Sequence, residues 1–193
     1  MKVAMKLLSD VIFGSGISVP GGEDVAVLQD ESGFPYYKGN TFKGVFREEY
    51  ENYLMLVGTG KQEAQNRIRL LFGKPGECQE REGKLRFSDF TLSPFVKRQV
   101  LAQGLDRQQV LEACTYVRVM TAIGEEGQAR DDSLRSCRCI KKGMSFYGEI
   151  LFDRADPELA GELTEVLRMV KWLGTSRTRG LGKVKLIPEG EVI

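Results

Sequence analysis

Cations and glycines occur where the sequence predicts the start of a helix. The segment GFPYYKGNTFKGVFREEYENYL, residues 33–54, passes from a turn-like stretch into an amphipathic helix. A helix start presents unpaired backbone N–H groups and the positive end of the helix dipole, so cations there do not stabilise the helix itself. The ligand that suits this position is an anion, above all a phosphate, and the alternative is a solvated helix edge beside Glu48 and Glu51. The candidate phosphate-binding residues are Lys38, Gly39, Asn40, Thr41, Lys43 and Arg47.

Two further segments combine basic side chains with small residues. GTSRTRGLGKVK, residues 174–185, has three glycines and four cations but no acidic residue, so its N–H groups and guanidinium groups could cradle a phosphate backbone. SLRSCRCIKKG, residues 133–143, also has no acidic residue. A mobile basic loop is the alternative for the first segment, and neither GLGKV nor GTGKQ has the spacing of a nucleotide-binding P-loop. The candidate phosphate ligands of these segments are Arg135, Arg138, Lys141, Arg177, Arg179 and Lys183.

The chain contains no histidine, the usual general acid or base near neutral pH. Hydrolytic chemistry must therefore rest on carboxylates, a metal, lysine or tyrosine. Asp24 lies in a glycine-rich loop between the predicted first strand and the basic helix start. A carboxylate beside a phosphate-binding surface can ligate Mg²⁺ or another divalent cation, or position a hydroxyl group for attack on phosphorus. Asp24 is thus the candidate catalytic residue and metal ligand, and an Asx turn is the alternative.

The four cysteines offer a second possible metal site. Cys137 and Cys139 would share one face of a strand, and Cys78 and Cys114 would complete a four-thiolate zinc site. The spacing is not the usual pair separated by two to four residues. Buried free thiols are therefore the favoured interpretation, and zinc binding is the alternative.

Composition limits the class of protein. The 193 residues carry a formal net charge of +1 and 41% hydrophobic residues, so the chain can build a core, and a polyanion must meet a local basic patch. No apolar run approaches the ~18 residues that would span a bilayer. The first residues resemble a strand more than a targeting segment, so we expect a cytoplasmic protein with no membrane partner.

The elements that must position these residues follow an alternating order. Strand patterns at residues 2–9, 84–92 and 143–152 and at the chain end alternate with two helix patterns, which predicts an α+β, ferredoxin-like fold. The first helix is expected to begin with Asn40 or Thr41 as N-cap and to stop at Gly58. The second is expected to follow the Asp156 cap and to end at Gly174. We expect one domain over 1–193, with an insertion within 93–135.

Four segments resemble, in order, the motifs of the RAMP (repeat-associated mysterious protein) superfamily. YYKGNTFKGVFREEY resembles the signature G-[ST]-[ST]-[LF]-[KR]-G-x-x-R, and LFG at 71–73, KLRFSDFTL and GTSRTRGLGKVKL follow in the same order. Within the superfamily, GGEDVAVLQDESGFPYYKGNTFKG looks most like the backbone subunit of type III CRISPR RNA-guided effector complexes. Lys38 departs from that pattern because relatives often have proline there.

The resemblance implies an RRM-like (ferredoxin-like) palm with an inserted thumb or lid. It also implies a subunit that binds guide RNA and, through Asp24 and a divalent metal, cleaves the paired target RNA in antiviral defence. The implied partners are guide RNA, complementary target RNA, further copies or related RAMP subunits in a filament, and other type III effector subunits. The alternatives are a non-catalytic, structural RNA-binding subunit and a guide-processing endoribonuclease, which the missing histidine disfavours.

Overall fold

The first strand has one buried face and one more exposed face. Val3, Met5 and Leu7 are buried and alternate with more exposed neighbours, as the alternation of side chains along a strand requires. The computed structural model describes residues 1–16, 23–73, 83–121, 126, 128, 133–153 and 156–188. Its elements are β1 (Lys2–Leu7), α1 (Gly39–Leu56), α2 (Lys61–Phe72), β2 (Arg86–Phe87), α3 (Pro94–Leu101), α4 (Arg107–Cys114), β3 (Thr115–Met120), β4 (Arg135–Ile140), β5 (Ser145–Leu151), α5 (Pro157–Met169) and β6 (Val184–Pro188).

The main sheet has four strands in the order β2-β5-β1-β6, and all of its pairs are antiparallel. The central strand β1 pairs with β5 and β6, while α1 lies between β1 and β2 in the chain and α5 between β5 and β6. This is the strand and helix order of a ferredoxin-like fold. The predicted fold class is therefore confirmed.

The core lies between this sheet and the two long helices. The α1 residues Phe42, Phe46, Tyr50 and Leu54 are buried at a spacing of four, which places them on one helix face. They belong to the same apolar cluster as the buried side chains of β1 and as Leu163 of α5. The basic start of α1 is thus held rigidly against one edge of the sheet.

A second, two-stranded sheet of β3 and β4 lies between β2 and β5 in the chain, together with α3 and α4. It is joined to the loops after β1 by isolated bridges, antiparallel between Val11 and Ile140 and parallel between Val25 and Cys137. These elements overlap the span 93–135 of the predicted insertion, and the assignment of that span as a thumb within one domain stays a prediction.

Two helix boundaries differ from the predictions. The N-cap of α1 is Lys38, not Asn40 or Thr41, and it makes no side-chain capping bond. Helix α5 does begin after the Asp156 cap, with Pro157 in its first turn, but it ends at Met169 and not at Gly174. The chain leaves α5 early because the Leu173 N–H pairs with the carbonyl of Gly182, 2.8 Å away, which draws this segment towards the start of β6.

The predicted strand at residues 84–92 is shorter in the structure. Only Arg86–Phe87 form β2, because the chain then divides its hydrogen bonds between two neighbours. Phe90 pairs with Tyr37, and Thr91 pairs with Tyr147. Within the described ranges, no helix is long and apolar enough to cross a bilayer.

Candidate nucleic-acid interface

The N-terminus of α1 already has an anionic partner. The Gly39 N–H donates to Oδ1 of Asp89 at 2.7 Å, so a carboxylate occupies part of the predicted phosphate seat. Gly39 is also buried, and a Cβ there would lie 2.4 Å from the carbonyl oxygen of Phe87. Gly39 thus lets α1 approach the chain after β2, and its assignment as a phosphate contact stays a prediction.

The other predicted residues at the start of α1 remain accessible. Lys38, Asn40 and Thr41 are exposed, and Lys43 and Arg47 are half-buried. None of the three cations forms an ion pair with a carboxylate of the described residues. Lys43 and Arg47 share a helix face because they are four residues apart. The start of α1 therefore presents three cations beside a helix N-terminus that already has Asp89 as a partner.

The loop between α5 and β6 is built from residues in left-handed backbone conformations. Ser176, Gly180 and Gly182 have φ values of 58°, 78° and 87° around a 3₁₀ turn at Arg177–Arg179. At Gly182 a Cβ would lie 2.1 Å from the carbonyl oxygen of Leu173, so only glycine fits. Both arginines of this turn are exposed. The loop fixes their backbone positions and leaves their side chains in solvent.

Tyr37 joins this loop to the start of α1. Burial raises the pKa of Tyr37 to about 12, while the nearby charge of Arg177 and the N–H of Gly174, which donates to the phenol oxygen, act in the opposite direction. Tyr37 immediately precedes the Lys38 cap of α1. Two of the three predicted basic segments therefore meet at one buried tyrosine.

Asp24 is exposed, and hydrogen bonds hold its side chain to Ser136, the second residue of β4. Its Oδ2 accepts hydrogen bonds from the Ser136 N–H at 2.7 Å and from the Ser136 hydroxyl at 3.3 Å. Its Oδ1 has no hydrogen-bond donor among the described residues. One carboxylate oxygen thus orients the side chain, and the other is open to a ligand.

Three charged groups act on the buried thiol of Cys137. Burial raises the pKa of Cys137, the negative charge of Asp24 raises it further, and Arg135 and Arg179 oppose the shift. Nη1 of Arg179 also lies 3.8 Å from the sulfur of Met120, and Met120 pairs with Arg135 across β3 and β4. The structure therefore groups Asp24 with one arginine from each of two predicted basic segments.

Two predicted phosphate ligands already have hydrogen-bond partners within the protein: Arg138, which is buried, and Lys141, which is exposed. Arg138 is only 8% exposed, and its guanidinium forms an ion pair with Glu23 and donates to the Thr115 hydroxyl at 3.0 Å. The ammonium of Lys141 donates to the last carbonyls of α4, those of Glu112 at 3.1 Å and Ala113 at 2.8 Å. Burial and an internal carboxylate hold Arg138, while a helix C-terminus holds Lys141, and the assignment of both as phosphate ligands stays a prediction. The side chains of Arg135 and Lys183 are exposed.

The sequence did not predict two carboxylates that bind candidate site residues. Asp89 lies 50 residues from Gly39 in the chain, and Glu23 lies 115 residues from Arg138. Glu23 is visible in the sequence only as a neighbour of Asp24, and Asp89 only as an acidic residue in a predicted strand. No local spacing rule connects residues so distant.

A metal at Asp24 would have few protein ligands. Within the described part of the chain, no group of three or more His, Cys, Asp or Glu side chains could hold a metal ion. Glu23 is paired with Arg138, and Asp30 binds Lys97 at 2.7 Å. The residues present still fit Mg²⁺, which commonly binds through one or two carboxylates with substrate phosphates and water.

The described cysteines do not form one group, as a four-thiolate zinc site would require. Cys114 belongs to the main core, whereas Cys137 and Cys139 lie in a smaller cluster with Ile12 and Leu181. All three are buried free thiols. Cys78 lies outside the described residues, so zinc binding stays a prediction that is not favoured.

The chain matches a protein family and is similar to solved structures. The family model of the RAMP superfamily matches residues 4–185. Two solved structures are similar over nearly the whole length of both chains. One is from the type III-B Cmr-beta complex bound to cognate target RNA, with a TM-score of 0.67, 14% identity and coverage of 96% of this chain and 95% of the other. The second is from the apo state of type III-B Cmr-beta, with a TM-score of 0.72, 14% identity and coverage of 100% and 98%. No curated protein sequence matches the chain.

Proposed function

This chain belongs to the RAMP superfamily, and on that premise we propose that it is a backbone subunit of a type III CRISPR effector complex. In this proposal it binds guide RNA along the phosphate backbone and cleaves the complementary target RNA. The observation that carries the proposal is geometric: Asp24 is bonded to Ser136 beside Arg135 on β4, and Arg179 contacts Met120, the cross-strand partner of Arg135. One of the two similar structures is of a complex bound to cognate target RNA, which supports RNA as the ligand.

The binding step depends on local charge. The net charge is only +1, so RNA is held by the cations at the start of α1 and by Arg135, Arg177 and Arg179. Such contacts position a nucleic acid without reading its sequence. Base pairing between guide and target supplies the specificity, and the protein recognises backbone and shape.

The cleavage step depends on Asp24. Ser136 fixes Oδ2 of Asp24 and leaves Oδ1 towards solvent or ligand. A divalent cation held by Asp24 would act as a Lewis acid on a phosphate oxygen. In this proposal Arg135 and Arg179 stabilise negative charge that develops on the phosphate, a role for which guanidinium groups are suited.

The test uses the complex assembled with its guide RNA and a complementary target. We expect Asp24→Asn to lower the cleavage rate by about 100-fold or more, as for loss of a group that acts in the transition state. Guide binding should stay within about twofold, because an exposed carboxylate contributes no attraction to RNA. Glu48→Gln, which removes an acid of α1, is the control for charge. Addition of EDTA should stop cleavage by the wild type, and an unchanged rate in Asp24→Asn would reject the catalytic role.

A non-catalytic, structural role is the second candidate. It is favoured by the isolation of Asp24, since no cluster of three potential metal ligands forms among the described residues. In that case cleavage is done elsewhere in the complex, and the Asp24→Asn complex and the wild-type complex bind target equally and cleave it at the same rate.

A further inference from the structure

The face of the main sheet opposite α1 and α5 carries an ordered set of side chains that the proposed function does not use. On β1, Lys2, Ala4 and Lys6 alternate with the buried residues that pack on the helices. The strand register places the neighbours of β1 in rows across this face. One row contains Ser145, Lys6 and Lys185, and the next contains Tyr147, Ala4 and Ile187.

The first row places two like charges directly opposite each other. Lys6 of β1 pairs with Lys185 of β6, and side chains at such positions are roughly 5 Å apart at Cβ. Neither ammonium meets a carboxylate among the described residues. Opposed like charges destabilise a sheet, whereas an anion placed between them would be held by both.

The second row offers an aromatic surface. Tyr147 is 42% exposed, and its cross-strand neighbour Ala4 is too small to cover the ring. A cleft of about 510 Å³ lies over this row, with Ala4, Tyr147 and Ile187 in its lining and Ser88 and Thr91 at its side. That volume lies in the range typical of small-ligand sites.

The distance between the rows fits a nucleotide. Two residues along a strand advance by roughly 6.6 Å, a separation of the order of that between the phosphate and the base of one nucleotide. Glu149 and Asp89 also line the cleft, on the side away from Lys6. Lys2 lies opposite Glu149 and lines the same end of the cleft, and the carboxylates there can accept hydrogen bonds from a base amino group.

We propose that this face binds one nucleotide of a single-stranded RNA, with its base stacked on Tyr147 and its phosphate between Lys6 and Lys185. The site goes beyond the proposed function, in which α1 and the loop before β6 hold the guide. It is continuous with that interface, because the Leu8 and Ser9 N–H groups donate to the carbonyl of Lys183 at 2.9 and 3.2 Å. RNA is favoured over a second copy of this chain because two cations lie beside the exposed ring, and such a pair complements a polyanion better than a protein of net charge +1.

The experiment measures binding of a fluorescent 12-nucleotide oligocytidine by the purified full chain. We expect Tyr147→Leu to weaken binding by about fivefold or more, the effect of losing one stacked base. Tyr147→Phe, which keeps the ring, should stay within about twofold. In the variant with both Lys6→Gln and Lys185→Gln, the slope of log affinity against log salt should fall by about 0.7, because one phosphate is no longer neutralised. Its thermal midpoint should not fall, since the opposed charges are removed.

Arg179→Gln separates this site from the proposed function. If Tyr147→Leu weakens binding equally in the wild-type and Arg179→Gln backgrounds, the two sites act independently, as proposed. If Tyr147→Leu binds like the wild type while Arg179→Gln is weaker, the open-face site is rejected and the proposed function stands. If Tyr147→Leu instead abolishes self-association in sedimentation and leaves RNA binding unchanged, the surface serves a second copy and the proposal is overturned.

Discussion

Arg135 and Arg138 lie three residues apart on β4, yet only Arg135 presents its charge to solvent. Arg138 lies inside, between Glu23 and Thr115, whereas Arg135 lies at the exposed end of the strand beside Met120 and Arg179. The same contrast separates Gly39, which is packed against the chain after β2, from Gly44, which has open space around it. A basic, glycine-bearing segment is therefore not one functional unit. Its tertiary neighbours decide which members support the fold and which are free to meet a ligand.

Substitution of the buried Arg138 should lower the stability of the protein far more than substitution of the exposed Arg135. Arg138→Ala leaves the side chain of Glu23, which is 19% exposed, without its partner, and we expect a loss of about 3 kcal/mol in the free energy of unfolding. Arg135→Ala should change stability by less than about 0.5 kcal/mol but weaken RNA binding. Urea unfolding and fluorescence anisotropy measure the two quantities. Equal stabilities of the two variants would remove the distinction.

The two glycines of α1 give a matched pair of substitutions to alanine. At Gly39 the new Cβ would meet carbonyl oxygens at 2.4 and 2.6 Å, and we expect a loss of about 2 kcal/mol from overpacking. At Gly44 nothing lies within 4 Å, so alanine should stabilise the helix by about 0.5 to 1 kcal/mol. Thermal unfolding compares them directly. Destabilisation by Gly44→Ala would mean that α1 is packed there by a partner of the chain.

The salt dependence of RNA binding distinguishes cations that have no carboxylate partner among the described residues from a cation that is bonded within the protein. With both Lys43→Gln and Arg47→Gln, the slope of log affinity against log salt should fall by about 0.7 for each phosphate of a single strand that these cations neutralise. Lys141→Gln should leave the slope unchanged, because that ammonium is bonded to the end of α4. A decrease in Lys141→Gln equal to that of the double variant would contradict the assignment.

The smallest effect tests the neighbourhood of Asp24. Asp24→Asn removes a charge that raises the pKa of Cys137, so this pKa should fall, and Arg179→Gln removes an opposing charge, so it should rise. Titration of Cys137 by NMR of labelled cysteine Cβ atoms measures both shifts. Cys114 is the internal control, because the charges that act on its raised pKa are those of Lys141 and Asp30. If neither variant moves the pKa of Cys137, then Asp24 and Arg179 are not neighbours.

The sequence patterns succeeded where the signal is local. Alternation in β1 and the Asp156–Pro157 start of α5 are set by neighbouring residues, and both are confirmed. The predicted N-cap of α1 and the predicted end of α5 were wrong. Tertiary hydrogen bonds, from Gly39 to Asp89 and from Leu173 to Gly182, override the local preference at these positions. The sequence also predicted Arg179 and Arg135 as RNA ligands, and the structure places both, like Asp24, near the Cys137 thiol. It could not show that Arg138 is buried, because the pairing partner Glu23 lies 115 residues away.

The bond between Asp24 and the main chain of β4 has a consequence for the proposed cleavage of target RNA. The carboxylate is tied to Ser136, a residue far along the sequence, so it travels with the β3–β4 ribbon whenever that ribbon shifts. Because a misplacement of about 1 Å can lower a catalysed rate by roughly 100-fold, the proposed cleavage would depend on the position of this ribbon as well as on the acid itself.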